Sequence, residues 1–463
     1  MRNNISYLLS LISYLLSAAL CAAPAAAQDS VFVKYQDWQL APVTVADTNA
    51  ADNVRLQTDF TKPLHGPWLF NPAATSMSVN WITRLNCAGA VEYREKGSTN
   101  AFTRVWQSTC GLPSYNTDMH LLHLSGLKPA TEYEYRLVSA LSTYDTPYPG
   151  TVVGRETYTF KTLDPGLERY SVFVTSDMHG AMRLCLDPMY DAAGGDDCSL
   201  FFLLGDNVED SMTDARYYIT FGYLDDICRL WGPNRPTAFL RGNHDCWGRE
   251  ASRWADYYGR PDNRGYYTIS HGPALFILFD PPRDRTKSES AAQVTDAYMR
   301  EQAAWLAALK KTPEWRNAIF RIGMCHYGTR LGNADYIWFA RYFKDILNDP
   351  SPEGRIHLFL AGHEHHYARN NPRTMEFAKL APFRSKTPLT PEENLARARK
   401  LYSAMQTNDF NFCEVSCHVQ ETMRIDVSKE KLSVKSVNWH STAHDLYDAF
   451  EIAPDGSVTE AGR

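Results

Sequence analysis

The chain has no long run of charge of one sign. Its 47 Lys and Arg are set against 53 Asp and Glu, for a formal net charge of −6. Without a basic stripe, it lacks the electrostatic footprint of a nucleic-acid-binding protein. Without a polybasic segment, it lacks the usual attraction to an anionic membrane surface. After residue 27 no apolar stretch approaches the ~20 residues that cross a bilayer as a helix. Internal repeats and low-complexity segments are missing as well. The 10 cysteines do not fall at zinc-knuckle spacing.

What is present is ordinary globular material in quantity. At 463 residues the length suits two or three domains. The 11 Trp, 26 Tyr and 21 Phe can fill a large core. The first 27 residues read as a secretory signal. Arg2 supplies the positive start, residues 5–20 an apolar stretch, and Ala25-Ala26-Ala27 a small-residue cleavage pattern. The expected location is outside the cell or in a periplasm, with lipid attachment at Cys21 disfavoured by its neighbour Leu20. Export permits disulfides. Nine cysteines then remain, and proximity alone suggests Cys87 with Cys110, Cys185 with Cys198, and Cys413 with Cys417. The odd count leaves at least one thiol over. Cys325, beside His326 at a strand end, is the expected buried free thiol.

Residues 28–61 form a lead-in without a strong period. Residues 62–164 then alternate as short strands at 76–83, 90–94, 119–124 and 156–162, with a Pro turn followed by Tyr, Tyr and Leu on one face over 126–137, parted by Gly, Pro, Asn and Ser turns. This predicts a β-sandwich of roughly 100 residues. Its Leu127-x-Pro129-x-Thr131-x-Tyr133-x-Tyr135 stretch resembles a fibronectin type III module. Pro165-Gly166 is the expected joint. Beyond it, residues 167–463 change character. Nearly continuous apolar runs at 170–175, 199–204, 236–240, 274–279, 318–322 and 356–360 suit strands covered on both faces. A helical period runs over 296–311, with Met299, Ala303, Trp305, Leu306 and Leu309 on one side. An α/β layered domain follows, closed by a hairpin at 422–427 and 432–437 and a last strand at 449–452.

The apolar runs end in chemistry. Asp177-Met178-His179-Gly180 closes the first and Gly205-Asp206-Asn207 the second. Arg241-Gly242-Asn243-His244-Asp245 closes the third. Cys325-His326 and Gly362-His363-Glu364-His365-His366 close two more. A lone His at a strand end is usually a satisfied polar residue, and Gly-Asn is usually a turn. Five such ends in order leave that reading little room. Carboxylate, amide oxygen and imidazole together suit Mn, Fe(II) or Zn. The donors exceed what one ion takes, and a carboxylate can bridge two cations ~3.5–4 Å apart. Cations so placed acidify a shared water and hold an oxyanion opposite it, as in-line attack on phosphorus requires.

The set Asp177-x-His179, Gly205-Asp206, Gly242-Asn243-His244-Asp245, His326 and Gly362-His363-x-His365 resembles the calcineurin-like metallophosphoesterase family. The preceding module and the run from Gly362 to Arg369 resemble its purple acid phosphatase branch. The resemblance implies a central β-sandwich flanked by helices in four layers. It also implies two divalent ions, Mn, Fe or Zn. Asp177, His179 and His365 would hold the first ion. Asn243, His326 and His363 would hold the second, and Asp206 would bridge them. His244 would face the scissile bond, oriented by Glu209, with Asp245 as a supporting candidate that is equally well structural. Purple acid phosphatases carry a Tyr ligand three residues after the bridging Asp. Here that place is Glu209, with His179 available instead, so the implied enzyme is colourless.

The implied activity is hydrolysis of small phosphate monoesters or diesters by a metal-bound hydroxide. The alternatives are a nucleotidase or nucleotide phosphodiesterase and, outside enzymes, a surface binding protein on a phosphoesterase-like scaffold. Selectivity is assigned to loops at 184–197, 246–264 and 370–407, the last read as a solvated insertion. His366, Tyr327, Arg330 and Arg241 are candidate phosphate contacts that are equally well structural.

Overall fold

The apolar runs become strands because a covering layer meets each of their faces. The computed structural model describes residues 63–140, 151–154, 156–180, 182–208, 223–248, 250–282, 289–329, 334–374, 377–380, 389–401, 410–439 and 446–461. The expected signal, the lead-in, Glu209 and Arg330 lie outside them.

Arg169–Thr175, Cys198–Leu203 and Thr237–Phe239 are parallel neighbours. They sit inside a ten-stranded sheet. On one side follow Met423–Ser428, Leu432–Val437, Leu446–Ile452 and Val458–Glu460, all antiparallel. A second sheet of seven strands has Ala274–Leu278, Phe320–Cys325, Leu358–Ala361 and Cys413–Ser416 running parallel at its centre. The two sheets share one core. Val172, Val174, Leu200 and Phe202 of the first meet Phe276, Ile322, Leu358 and Val415 of the second. Phe202 and Phe276 bring their ring centroids within 4.8 Å. A buried Phe of this kind is worth about 3–5 kcal/mol on truncation to Ala.

Helices cover the outer faces. Glu289–Leu309 and Ala334–Leu347 set Met299, Leu306, Phe339 and Phe343 on Leu275, Ile277 and Phe359. The first of these starts seven residues before the apolar period becomes legible, because Val294, the large apolar residue of its first turns, is exposed. On the other side Trp231 stacks on Phe201 at 4.2 Å and on Tyr190 of helix Met182–Ala192 at 5.7 Å. The result is four layers, helix on sheet on sheet on helix.

The N-terminal region is a second sandwich. Pro63–Phe70, Ser76–Thr83 and Met119–Ser125 make one sheet. Tyr158–Lys161, Glu132–Ala140, Ala88–Glu95 and Thr103–Trp106 make the other, with Thr151–Val153 beside Glu132–Ala140. Alternation places Tyr133, Tyr135 and Leu137 inward, against Val79, Trp81 and Phe160. The Lys128 N–H donates to Tyr133 Oη at 2.9 Å, which pins the Pro129 turn to the strand. The first of these sheets does not end at its own module. Phe70 pairs parallel with Thr237, so the ten-stranded sheet runs through both regions.

Three expectations are corrected. No disulfide joins any of the nine described cysteines, so none of the pairs suggested by proximity forms. Cys413 shows why: it opens a fully buried strand, with Cys417 one residue past its end, and an extended chain holds those two sulfurs far apart. Cys325 is buried and free as expected. The stretch 184–197 is not a loop but mostly helix, Met182–Ala192. The stretch 370–407 carries the helix Pro391–Leu401, started by a reciprocal cap. The Glu393 N–H donates to Thr390 Oγ1 and the Thr390 N–H to Glu393 Oε2.

One buried carboxyl sets a pH dependence. Glu421 is 1% exposed, between strands Cys413–Ser416 and Met423–Ser428. Ser436 Oγ donates to it at 2.5 Å and the His418 N–H at 2.8 Å. Burial outweighs these bonds and raises the carboxyl to about 7. Unfolded, it titrates near ~4.3. The folded chain therefore holds the extra proton between these values, and stability falls as pH rises through that window. Denaturant melts of Glu421→Gln should show the pH-dependent loss reduced by on the order of 3 kcal/mol against wild type. Equal pH slopes in the two proteins would contradict this.

Candidate metal centre

The strand ends meet where the sheets' carboxyl edges face one another, as in open α/β sheets generally. Beyond Thr175 and Leu203 the two chains keep exchanging backbone bonds. Leu204 N–H donates to Thr175 O, Asp177 N–H to Gly205 O, His179 N–H to Asp206 O and Gly180 N–H to Asn207 O, at 2.9–3.1 Å. Parallel pairing thus continues into the turns that carry the functional side chains.

Those turns are strained. Asp177, His179, Asp206, His363 and His365 all have positive φ, between 47° and 73°. Left-handed backbone at a residue with a Cβ costs about 1–2 kcal/mol, and such residues persist where the surroundings over-determine them. Three glycines let the turns interlock. A Cβ on Gly205 would lie 2.6 Å from the Gly242 nitrogen and 2.8 Å from His326 Nδ1. One on Gly242 would overlap the Asp206 carboxylate and backbone nitrogen, and one on Gly362 the Ser176 hydroxyl and the Asp177 carboxylate.

Two clusters result, and Asp206 belongs to both. Asp177, His179, Asp206 and His365 each offer a ligand atom within 4.8 Å of one another, and so do Asp206, His326 and His363. In the first, His179 Nε2 lies 2.8 Å from His365 Nε2, and His365 Nε2 lies 3.2 Å from Asp177 Oδ1. In the second, His363 Nδ1 and His326 Nε2 converge on Asn243 Oδ1 at 2.7 and 3.0 Å. His326 Nε2 also stands 3.3 Å from Asp206 Oδ2. Every sequence-predicted ligand is therefore brought together. His365 alone is exposed, giving the centre an open side.

Electrostatics suit a cation. Burial pushes the His179 and His363 imidazoles down to about 4, keeping them neutral, the form that ligates metal. Burial opposes charge on His326 too, but the Asp206 and Asp177 carboxylates outweigh it and raise that ring to about 9. Burial raises the Asp177 and Asp206 carboxyls, while the surrounding imidazoles hold both below the usual carboxylate range. Two ring nitrogens aimed at each other beside a buried carboxylate fit a shared cation between them. Carboxylate, amide and imidazole donors suit Mn, Fe or Zn.

The supporting contacts are specific. His326 Nδ1 meets Leu204 O at 2.9 Å, which leaves Nε2 for the site. Ser176 Oγ donates to Asp177 Oδ2 at 2.6 Å, and the His363 N–H donates to the same carboxylate. His244 donates its backbone N–H to Asp206 Oδ1 at 2.8 Å. Its ring packs edge-on to His179 at 4.8 Å and against Trp247 at 4.6 Å. Asp245 is fully buried and accepts the Gly242 N–H at 2.8 Å, bracing the turn.

The candidate phosphate contacts fare differently. Arg241 is committed to Asp280, with Nε 2.8 Å from Oδ1 and Nη2 2.5 Å from Oδ2. Tyr298 Oη donates to the same carboxylate at 2.6 Å, so Arg241 holds the turn instead of facing substrate. Tyr327 is fully buried with its ring against His326 and His363. His366 is buried as well. Sequence reasoning missed Ser176, Trp247 and Asp280. Asp280 was findable, since it too follows an apolar run; the Leu204 carbonyl, a backbone group, left no signal.

Paired clusters sharing one carboxylate, at the strand ends of a four-layered α/β fold, suit a metal-dependent hydrolytic centre. Comparison with known proteins gives the class the same name. Residues 170–367 match the calcineurin-like phosphoesterase family and residues 68–162 the purple acid phosphatase N-terminal domain. Residues 170–367 are therefore a calcineurin-like phosphoesterase domain, preceded by a purple acid phosphatase N-terminal domain at 68–162, and together they support a metal-dependent phosphoesterase. Purple acid phosphatase PPD1 from yellow lupin (Lupinus luteus) seeds has a similar fold. Its TM-score is 0.54 at 14% identity, over 84% of this chain and 74% of that one. PhoD is similar with a TM-score of 0.55 at 12% identity, over 90% of this chain and 94% of that one. No curated protein matches the chain. Among the described residues no helix is long and apolar enough to cross a membrane.

The packing of Gly242 on Asp206 yields a test. Gly242→Ala should displace the shared carboxylate and lower the metal bound per chain, read by elemental analysis after dialysis against Mn2+. Metal content equal to wild type would contradict the geometry.

Proposed function

We propose that the chain is an exported hydrolase of small phosphate monoesters or diesters, working with two divalent ions. The observation that carries this reading is the sharing of Asp206 between two donor clusters. Asp177, His179 and His365 would hold one ion. Asn243, His326 and His363 would hold the other, and Asp206 both. Such a pair supplies an acidified water and neutralises phosphoryl charge. Export rests on the N-terminal sequence, with Arg2, the apolar stretch after it and the Ala25-Ala26-Ala27 pattern.

The chain's own residues do the rest. His244 is the group for the substrate. Its Nε2 stands 3.9 Å from Asp206 Oδ2, and the rings of His179 and Trp247 restrict its orientation. From there it stabilises charge on the phosphoryl oxygens or gives a proton to the leaving oxygen. The partly exposed flank at His365 and His244 is the side from which a phosphate ester enters. Glu209 is assigned the orienting role toward His244 on its sequence position alone. A surface binding protein would need no such complete donor set, and that alternative is set aside.

The test uses a chromogenic monoester and diester with Mn2+. His244→Ala should lower kcat by ~10²–10⁴-fold, the usual worth of a proton-transfer group, with metal content retained. Asp206→Asn should remove both turnover and metal. Unchanged turnover in both variants would sink the reading.

A further inference from the structure

The turn that carries His363 and His365 needs an anchor. Both residues are left-handed, at φ 73° and 55°. Upstream, Gly362 follows the buried strand Leu358–Ala361 directly. Downstream, two residues after His365, the chain reaches Tyr367, which is fully buried, and then Arg369, which is fully buried too. Tyr367 Oη donates to Asp448 Oδ2 at 2.9 Å. Arg369 donates through Nε to Asp448 Oδ2 at 2.7 Å and through Nη2 to Glu460 Oε1 at 2.6 Å. Its Nη1 donates to Asn371 Oδ1 at 2.7 Å, and its guanidinium lies 4.5 Å over the Phe450 ring. Each of the three guanidinium nitrogens thus has a protein acceptor.

The partners come from opposite sheets. Arg369 lies on Ala368–Asn370 of the seven-stranded sheet, whereas Asp448 lies on Leu446–Ile452 of the ten-stranded sheet. A buried ion pair is a poor source of net stability, since desolvation offsets most of its attraction. It is a good way to fix a geometry. We propose that Asp448 and Arg369 are a positioning pair that holds the His363–His365 turn in its metal-binding shape. The last strands of the chain thereby become part of the metal centre's support. The inference rests on the reading of His363 and His365 as metal ligands.

The experiment is calorimetric titration of Mn2+ into the metal-stripped full chain, with a thermal melt of each variant. Asp448→Asn keeps the side chain's shape and removes its charge. It should weaken Mn2+ binding by ~10–100-fold, the usual effect of losing a group that supports a ligand. Arg321→Met is the comparison. Arg321 is a buried arginine of the same sheet that donates to the carbonyls of Trp315, Pro352 and Arg355. It should lower Tm and leave Mn2+ affinity at the wild-type value. Wild-type affinity in Asp448→Asn overturns the proposal, and so does equal weakening in both variants. Should Asp448→Asn not fold, Tyr367→Phe removes a single bond to Asp448. Weaker Mn2+ binding there supports the pair, and unchanged binding overturns it. A wild-type chain that takes up no Mn2+ refutes the metal centre itself, a result separable from failure of the pair.

Discussion

The site depends on one carboxylate held in one place. Asp206 is 1% exposed and sits in a left-handed turn with no room behind it, because Gly242 occupies that space. The His244 N–H fixes one of its oxygens. The other faces His326 and, farther off, the His244 ring. An unpaired buried carboxylate is expensive. Here imidazoles surround it and keep it ionised, so the cavity is built for positive charge before any ion arrives.

The scaffold keeps that arrangement by over-determination. Five functional residues sit in backbone conformations that each cost about 1–2 kcal/mol. Their turns continue the parallel pairing of the strands, and glycines let them pack without gaps. Around this lie further clamps. Asp245 braces its own turn, and Asp280 locks Arg241 at the end of the preceding strand. The two sheets share a dense apolar core directly beneath. The N-terminal module contributes to the same frame. Its Asn80 and Asn71 amides donate to the carbonyls of Tyr257 and Gly259, in the segment that follows His244. Continuous pairing through Phe70 and Thr237 joins the two regions as one sheet.

Much of this was legible in the sequence, for physical reasons. Strands covered on both faces must be apolar throughout, so the runs from Tyr170, Ser199, Ala274 and Ile356 stood out. A polar residue following such a run had to serve some other purpose, which exposed Asp177, Asp206, Asn243, His326 and His363. The resemblance to a known family then distributed roles. What stayed hidden depended on long-range partners. Nothing local distinguishes Arg241 as a clamp from Arg241 as a phosphate contact; only the nearness of Asp280 decides. Proximity in sequence misled for Cys413 and Cys417, since an extended strand carries its ends apart. The stretch 184–197 concealed its helix because Pro188 and a Gly-rich tail read as loop.

In the proposed function, substrate choice falls to groups around the open flank and hydrolytic capacity to the shared carboxylate. The latter is the central claim, and anomalous diffraction from crystals grown with Mn2+ tests it most directly. The account predicts two peaks, one on each side of Asp206 and ~3.5–4 Å apart. One should be bounded by Asp177, His179 and His365, the other by Asn243, His326 and His363. A single peak, or peaks that leave Asp206 uncoordinated, would contradict it.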